Sequence, residues 1–276
     1  MDIIRLLVTL DQHYFAQLQV LLTSLRLNQP GERLALYLIH RQIPEELLEQ
    51  LTSWCVKNEI ELSILQAPEE VFQSAPVSKQ YPREMYYRLL AGNILPKDLH
   101  RILYLDPDIL VINPLRPLWE TDIDGYLFAA AAHTGKTELA NDVNRLRLGV
   151  DHPYYNSGVL LMNLDRCRQE INPEKLFADT QAHRSELVLP DQDLLNLLYG
   201  NQISSLSDAL WNYDARNYSN YLLRSGGVYD WRWVMEHTSI LHFCGKAKPW
   251  KPGYLYRFGI LYGHYQQLAR RDWGDL

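Results

Sequence analysis

The chain reads as an α/β protein built on a doubly wound, mostly parallel sheet with helices on both faces. Apolar runs alternate with helix-periodic segments from the start, over residues 3–10, 14–27, 34–39, 44–57 and 61–65. A β-α-β-α-β opening of this kind feeds one sheet through right-handed crossovers. The 276 residues, 47% hydrophobic and 22% charged, suffice for one large domain with a small appendage.

The first strand, 3–10, is bounded by Asp11. The helix over 14–27 carries Phe15, Leu18, Leu22 and Leu25 at helical spacing and stops before Asn28-Gln29-Pro30-Gly31. A second strand spans 34–39. In the helix over 44–57, Pro44 is the first residue and Leu47, Leu48, Leu51 and Trp54 share a face. The third strand is 61–65. No Gly-x-Gly-x-x-Gly follows the first strand, which excludes the usual dinucleotide phosphate cradle.

Residues 66–82 are proline-bearing and irregular, and a helix over 83–94 precedes the apolar strand 102–105. Downstream, 127–132 is a small-residue strand and 134–149 a polar, helical or mobile insert. A polar turn introduces a strand within 156–163. Asp191 and Asp193 suit the N-terminus of a helix over 190–199. A last short strand spans 239–243. The main domain is placed at 1–252, with 253–276 as a helical, aromatic extension packed on it.

A net charge of −6 argues against a nucleic-acid partner, which would want a basic face. Cys55, Cys167 and Cys244 are few and far apart. They make no disulfide framework and no Cys-x-x-Cys zinc site, which suits a reducing cytoplasm. The apolar start is interrupted by Arg5 and is too short for a signal peptide. No run approaches the ~20 apolar residues of a membrane span. The expectation is a cytoplasmic protein.

The apolar strand 102–105 runs into Asp106-Pro107-Asp108. Side chains at i and i+2 of an extended segment point the same way, so the two carboxylates can converge. Pro107 cannot donate to a ladder, so pairing should stop there. Two like charges at a strand end call for a cation or for solvent. Hard oxygen ligands suit Mg²⁺ or Mn²⁺; a solvated acidic turn is the other reading. Ligands of open α/β sheets bind outside the carboxyl ends of the strands, which puts Asp11 and Asp106 on one rim.

Asp11-Gln12-His13-Tyr14, Tyr87-Arg88, Asp106-Pro107-Asp108, Asn156-Ser157-Gly158, Asp191-Gln192-Asp193 and the His242–Trp250 stretch occur in this order. With that spacing the chain resembles glycosyltransferase family eight, which includes glycogenin and bacterial lipooligosaccharide galactosyltransferases. The His-x-x-Gly-x-x-Lys-Pro-Trp pattern is the most specific part. The resemblance implies a GT-A fold and retaining, Mn²⁺-dependent transfer of a hexose, glucose or galactose, from a UDP-sugar. It implies a carbohydrate, glycolipid or glycoprotein acceptor and a role in cell-surface glycan synthesis.

It also implies residue roles. Asp106, Asp108 and His242 would hold the Mn²⁺, with Mg²⁺ as the alternative; imidazole suits Mn²⁺ better. A divalent cation offsets the charge that grows on a leaving nucleotide diphosphate. Gly245 would admit the phosphates and Lys248 supply a point charge to them. Asp11, His13 and Tyr14 fall at the uridine site, with Thr9 and Leu10 beside them. The family commonly carries asparagine where this chain has His13. Asp11 also suits a helix N-cap. Arg88, Pro107, Asn156, Ser157 and Asp191 complete the expected donor contacts, and Asn156 also suits turn chemistry.

Retention classically invites a carboxylate nucleophile and two inversions. The corresponding position here is Gln192, between Asp191 and Asp193, and an amide is a weak nucleophile. A same-face substitution is therefore expected, with Asp191 and Gln192 as the catalytic pair. Two other classes fit parts of the sequence. Haloacid-dehalogenase-like phosphatases place an Asp-x-Asp after a strand, but want Thr or Val where this chain has Leu110. A non-catalytic UDP- or sugar-binding module is the third reading. The tyrosine-rich segment 253–273 ends near Arg270-Arg271, which suits either a packed capping helix or a peripheral contact with the inner face of a membrane.

Overall fold

The computed structural model describes residues 2–77, 83–132 and 136–274. The strands are β1 (Ile4–Thr9), β2 (Leu34–His40), β3 (Ile60–Gln66), β4 (Arg101–Leu105), β5 (Ile109–Val111), β6 (Phe128–Ala131), β7 (Val159–Asn163), β8 (Ile203–Leu206), β9 (Tyr213–Asp214) and β10 (Ile240–His242). The helices are α1 (Phe15–Asn28), α2 (Glu45–Lys57), α3 (Ala91–Ile94), α4 (Arg116–Trp119), α5 (Lys136–Leu148), α6 (Leu164–Glu170), α7 (Pro173–Ala182), α8 (Pro190–Tyr199), α9 (Asp208–Trp211), α10 (Tyr218–Arg224), α11 (Trp231–His237) and α12 (Gly259–Trp273).

Seven strands make the central sheet, in the order β3-β2-β1-β4-β7-β6-β8. Only β7 runs against its two neighbours; the other pairs are parallel. Both faces are covered, and the sequence alternation shows it. Leu6, Val8, Leu103 and Leu105 enter one core with α1, while Leu7, Ile102 and Tyr104 enter a second core with Leu176 of α7 and Leu194 of α8. A strand buried on both faces reads as a continuous apolar run because each alternate side chain meets a different core.

The run does stop at Pro107. After it, β5 leaves the central sheet and pairs with β10, which also pairs with β9. This three-stranded sheet brings the late His242 back against the Asp106–Asp108 turn: the Phe243 N–H donates to the Asp108 carbonyl at 3.0 Å. Asp106 itself is pinned from the other side, its N–H donating to the Gly158 carbonyl at 2.8 Å.

Several expected elements differ. The helix over 83–94 is broken into a 3₁₀ turn at Arg83–Tyr86, a further turn, and the short α3. Tyr86, Tyr87, Leu89 and Leu90 are all buried, and Arg88 points to the rim instead. The break lets these four side chains enter the core while Arg88 reaches the Ser157 carbonyl and the Asp106 carboxylate. Pro44 caps α2 rather than joining it, with ψ of 139°. Residues 156–158 are turn and β7 starts at Val159. The 134–149 insert is helical from Lys136; Thr134 and Gly135, like 78–82 of the irregular stretch, lie outside the described residues. The short elements β5, β8, β9, α4, α6, α7 and α9 to α11 have little periodicity to read.

The end of the chain closes on its beginning. Trp273 of α12 stacks on Trp54 of α2 at 4.5 Å and 8°, and its Nε1 donates to Thr23 Oγ1 at 3.1 Å. Among the described residues no helix is long and apolar enough to cross a membrane.

Candidate active site

The carboxyl ends of β1 and β4 are adjacent, and a cleft opens there. Thr9, Leu10, Asp11 and Tyr14 line it from the β1 side, Asp106, Pro107 and Asp108 from the β4 side, and Arg88 and Asp191 across from them. Glu84 and Met85 complete the lining and were not foreseen. His13 faces an adjoining groove with Arg41 and Gln42. Asp11 also does the work of an N-cap: its Oδ1 accepts from the His13 N–H at 2.8 Å. Tyr14 stands edge-on to Trp250 at 6.4 Å.

Each carboxylate of the Asp-Pro-Asp turn has one oxygen tied back. Asp106 Oδ1 accepts from the Tyr104 hydroxyl at 2.6 Å and pairs with Arg88 Nη1 at 2.9 Å. Asp108 Oδ2 is held by Lys248 Nζ, which also donates to the Phe243 carbonyl at 2.9 Å. The other two oxygens turn toward His242 Nε2, Asp106 Oδ2 at 3.8 Å and Asp108 Oδ1 at 3.2 Å. These three ligand atoms lie within 4.8 Å of one another. Two carboxylate oxygens and an imidazole nitrogen make a donor set that fits a divalent cation, with positions left for others.

The site is crowded by design of the backbone. A Cβ on Gly158 would lie 2.3 Å from His242 Cε1 and 2.7 Å from Asp106 Oδ2. Only glycine lets the chain pass this close. Gly245 has a different constraint. It sits at φ +78°, and a Cβ there would meet Arg216 Nη1 at 2.1 Å.

Burial raises the Asp106 carboxyl above its usual range despite Arg88 beside it. Burial would also raise Asp108, but His242 and Lys248 outweigh it and hold that carboxyl well below the ordinary value. His242 is opposed by burial, yet Cys244 and Asp108 push it above an ordinary histidine. The cluster therefore concentrates negative charge that draws in cations, here Arg88, Lys248 and the imidazole.

Arg88 ties the rim together. Its Nη1 reaches the Ser157 carbonyl at 3.2 Å and Asp191 Oδ2 at 3.2 Å, and the guanidinium lies 4.7 Å from the centre of the Tyr104 ring. Ser157 Oγ donates to Asp191 Oδ2 at 3.0 Å. Asn156 Nδ2 donates to Gln192 Oε1 at 3.0 Å. Asp193 is of another kind. It is fully buried and accepts from the N–H groups of Val188 and Leu189 at 2.6 and 2.8 Å, from Arg147 and from Tyr154. It fastens the start of α8 and faces no cleft.

The sequence profile of Glycosyl transferase family 8 matches residues 5–252 of the chain. The chain belongs to glycosyltransferase family 8. General stress protein A of Bacillus subtilis (strain 168) is 27% identical over 98% of this chain and 95% of that protein. A lipopolysaccharide 1,2-glucosyltransferase of Escherichia coli (strain K12) is 24% identical over 89% of this chain and 72% of the relative. The solved galactosyltransferase LgtC, in complex with donor and acceptor sugar analogs, superposes with a TM-score of 0.80 over 96% of each chain, at 21% identity. That likeness establishes the GT-A fold. The chain is thus a family 8 glycosyltransferase whose Asp-Pro-Asp turn, late histidine and lysine meet at one rim.

Tyr104 and Asn212 escaped the sequence reading. Tyr104 stands two residues before Asp106 in β4 and so shares its side of the strand. Asn212 is a polar residue between Trp211 and Tyr213, and no local pattern ties it to His242, 30 residues on.

Proposed function

We propose that this chain is a retaining hexosyltransferase that moves glucose or galactose from a UDP-sugar to a carbohydrate or glycoconjugate acceptor with Mn²⁺. One observation carries the reading: Asp106, Asp108 and His242 converge beside Arg88 and Lys248 at the cleft. A bound divalent cation there would stabilise the charge that grows on the departing diphosphate. Lys248 would exchange its bond with Asp108 for one with a phosphate oxygen. The Asp11–Tyr14 turn would receive uridine, with Tyr14 offering a ring face.

The chemistry we favour is a same-face substitution. The sugar C1–O bond to the diphosphate breaks, the acceptor hydroxyl bonds to C1 on the same side, and its proton passes to the leaving phosphate oxygen. Gln192 Oε1 would steady positive charge developing on the sugar ring. Asp193 is a poor alternative nucleophile, since its oxygens are already taken by four donors. Gln192→Ala should lower the rate and leave turnover measurable. A glycosyl adduct trapped on Asp191 would overturn this scheme.

For the acceptor we favour a glycolipid. Ile260, 84% exposed, lines an apolar groove with Trp231, Met235 and the cationic Arg257, and Leu255, 93% exposed, lies two residues before Arg257 in the chain. An apolar patch with a basic edge suits peripheral contact with an anionic membrane surface. Vesicles rich in anionic lipid should co-sediment the protein, and Leu255→Ser with Ile260→Ser should weaken that. The decisive assay is a UDP-sugar hydrolysis panel with Mn²⁺ and with chelator, water replacing the acceptor. Turnover of p-nitrophenyl phosphate without any UDP-sugar hydrolysis would sink the reading.

A further inference from the structure

Asn212 is fully buried, and nothing in the motifs accounts for it. It lies between α9 and β9, outside the lining of the cleft. Its two amide atoms are both in use. Oδ1 meets His242 Nδ1 at 2.8 Å, and Nδ2 donates to Asn156 Oδ1 at 2.9 Å. Asn156 in turn donates through Nδ2 to Gln192 Oε1 at 3.0 Å. A continuous line of hydrogen bonds therefore runs from the imidazole to the amide of Gln192.

The polarity of that line follows from one backbone group. The Gly158 N–H points at Asn156 at 2.9 Å, and a backbone N–H only donates, so the Asn156 atom there is the carbonyl oxygen. The Asn212 atom that bonds the same oxygen must then be its NH₂. The Asn212 atom facing His242 is consequently the oxygen, and His242 Nδ1 must be the donor. In the neutral form, the one a cation would bind, the unprotonated nitrogen is Nε2, the atom that faces Asp106 Oδ2 and Asp108 Oδ1. The same rule runs outward: Asn156 Nδ2 donates, so Gln192 turns its oxygen inward to the line. Reversing any one amide would set donor against donor or acceptor against acceptor at its neighbours, inside a buried site where an unmade hydrogen bond is expensive.

We propose that Asn212 is the positioning residue of this site. Through one oxygen it holds the His242 ring with Nε2 turned to the two carboxylates, and through one NH₂ it sets Asn156 and thereby the amide of Gln192. The metal ligand and the group beneath the sugar are linked through a single buried carboxamide, with the Gly158 N–H holding Asn156 beside it. This rests on the metal and donor reading above, and it makes a claim that reading does not: the orientation of the two ends is coupled through Asn212. Partners that bond the outer nitrogen of a ligating histidine commonly govern metal affinity by 10–100-fold.

Two variants separate the halves of the role. Asn212→Ala removes both bonds, and Asn212→Asp keeps an oxygen for His242 but loses the donor to Asn156. Mn²⁺ affinity is measured by titration of the metal-free protein, with melting temperature in parallel, and kcat and KM from hydrolysis of the best UDP-sugar. Asn212→Ala should bind Mn²⁺ 10–100-fold more weakly. Asn212→Asp should bind Mn²⁺ at least as well as the parent within about threefold, yet lose about tenfold or more in kcat. A folded Asn212→Ala with parental Mn²⁺ affinity overturns the proposal. If the alanine variant does not fold, Asn212→Asp decides alone: a kcat loss at unchanged Mn²⁺ affinity supports it, and parental kcat, or equal losses of both, overturns it. A parent protein that binds no Mn²⁺ would instead bring down the metal reading itself, a distinct result.

Discussion

At the residue scale, the site is an exercise in assigning each polar atom one partner. Asp106 and Asp108 were legible because a charged pair after an apolar strand has no core to enter. Their division of labour was not. Which oxygen faces inward depends on Tyr104, Arg88 and Lys248, and two of these come from distant segments. Asp106→Ala and Asp108→Ala should each abolish metal-dependent UDP-sugar turnover while far-UV circular dichroism stays unchanged. Gly158→Ala is the stricter test, since it deletes no ligand. Its methyl would have to displace His242 or Asp106, so Mn²⁺ affinity should fall at least tenfold by titration. Parental affinity in that variant would show that the two groups do not need their present spacing.

At the element scale, short segments are held in place by single charges rather than by their own propensity. The start of α8 depends on Asp193, which answers two backbone N–H groups, Tyr154 and Arg147 of α5. Asp193→Ala would leave the two N–H groups without their acceptor and Arg147 without its buried carboxylate, so unfolding in urea should show a loss of about 3 kcal/mol or more. From the sequence, Asp193 looked like one of two acids favouring a helix N-terminus; its burial distinguishes it from Asp191, which stays at the cleft. The α4 segment is tied to the turn before β2 by Arg116, whose Nε donates to Glu32 Oε1 at 3.1 Å. The Arg116 bond holds the Glu32 carboxyl below its ordinary range. A depressed folded value stabilises above the unfolded pKa and is lost as pH falls through the depressed one. Glu32→Gln should therefore be about 1 kcal/mol less stable at neutral pH. That deficit should begin to shrink below about pH 4, the ordinary carboxyl range, and vanish only once the pH has passed below the depressed folded value. A deficit that persists at low pH would mean packing, not charge, is at work.

At the scale of the whole molecule, α12 packs on α1 across the sheet from the second core, and the last helix locks the first two. Trp54 Nε1 donates to Asp272 at 2.6 Å while its ring stacks on Trp273. Trp273→Ala should cost about 3–5 kcal/mol, read as a lower melting temperature. The Mn²⁺ affinity of the folded protein should be unchanged, since neither ring lines the cleft. A parallel loss of metal affinity would mean that the closure of the chain also shapes the rim.

Short apolar runs alternating with helix-periodic segments by themselves determined the β-α-β-α-β opening and the burial of the central strands on both faces, and Pro107 determined the break. These are local consequences of side-chain period and backbone chemistry, so they can be read without the rest of the chain. The order of the motifs determined the family. Tertiary structure alone decided that β5 departs for a second sheet, that 83–94 breaks into turns and the short α3 so that Arg88 can reach Ser157, and that Asn212 lies against His242. Each of these is a contact between segments far apart in sequence, and such contacts are chosen by the competition to satisfy every buried polar group at once. No window of neighbouring residues contains that competition.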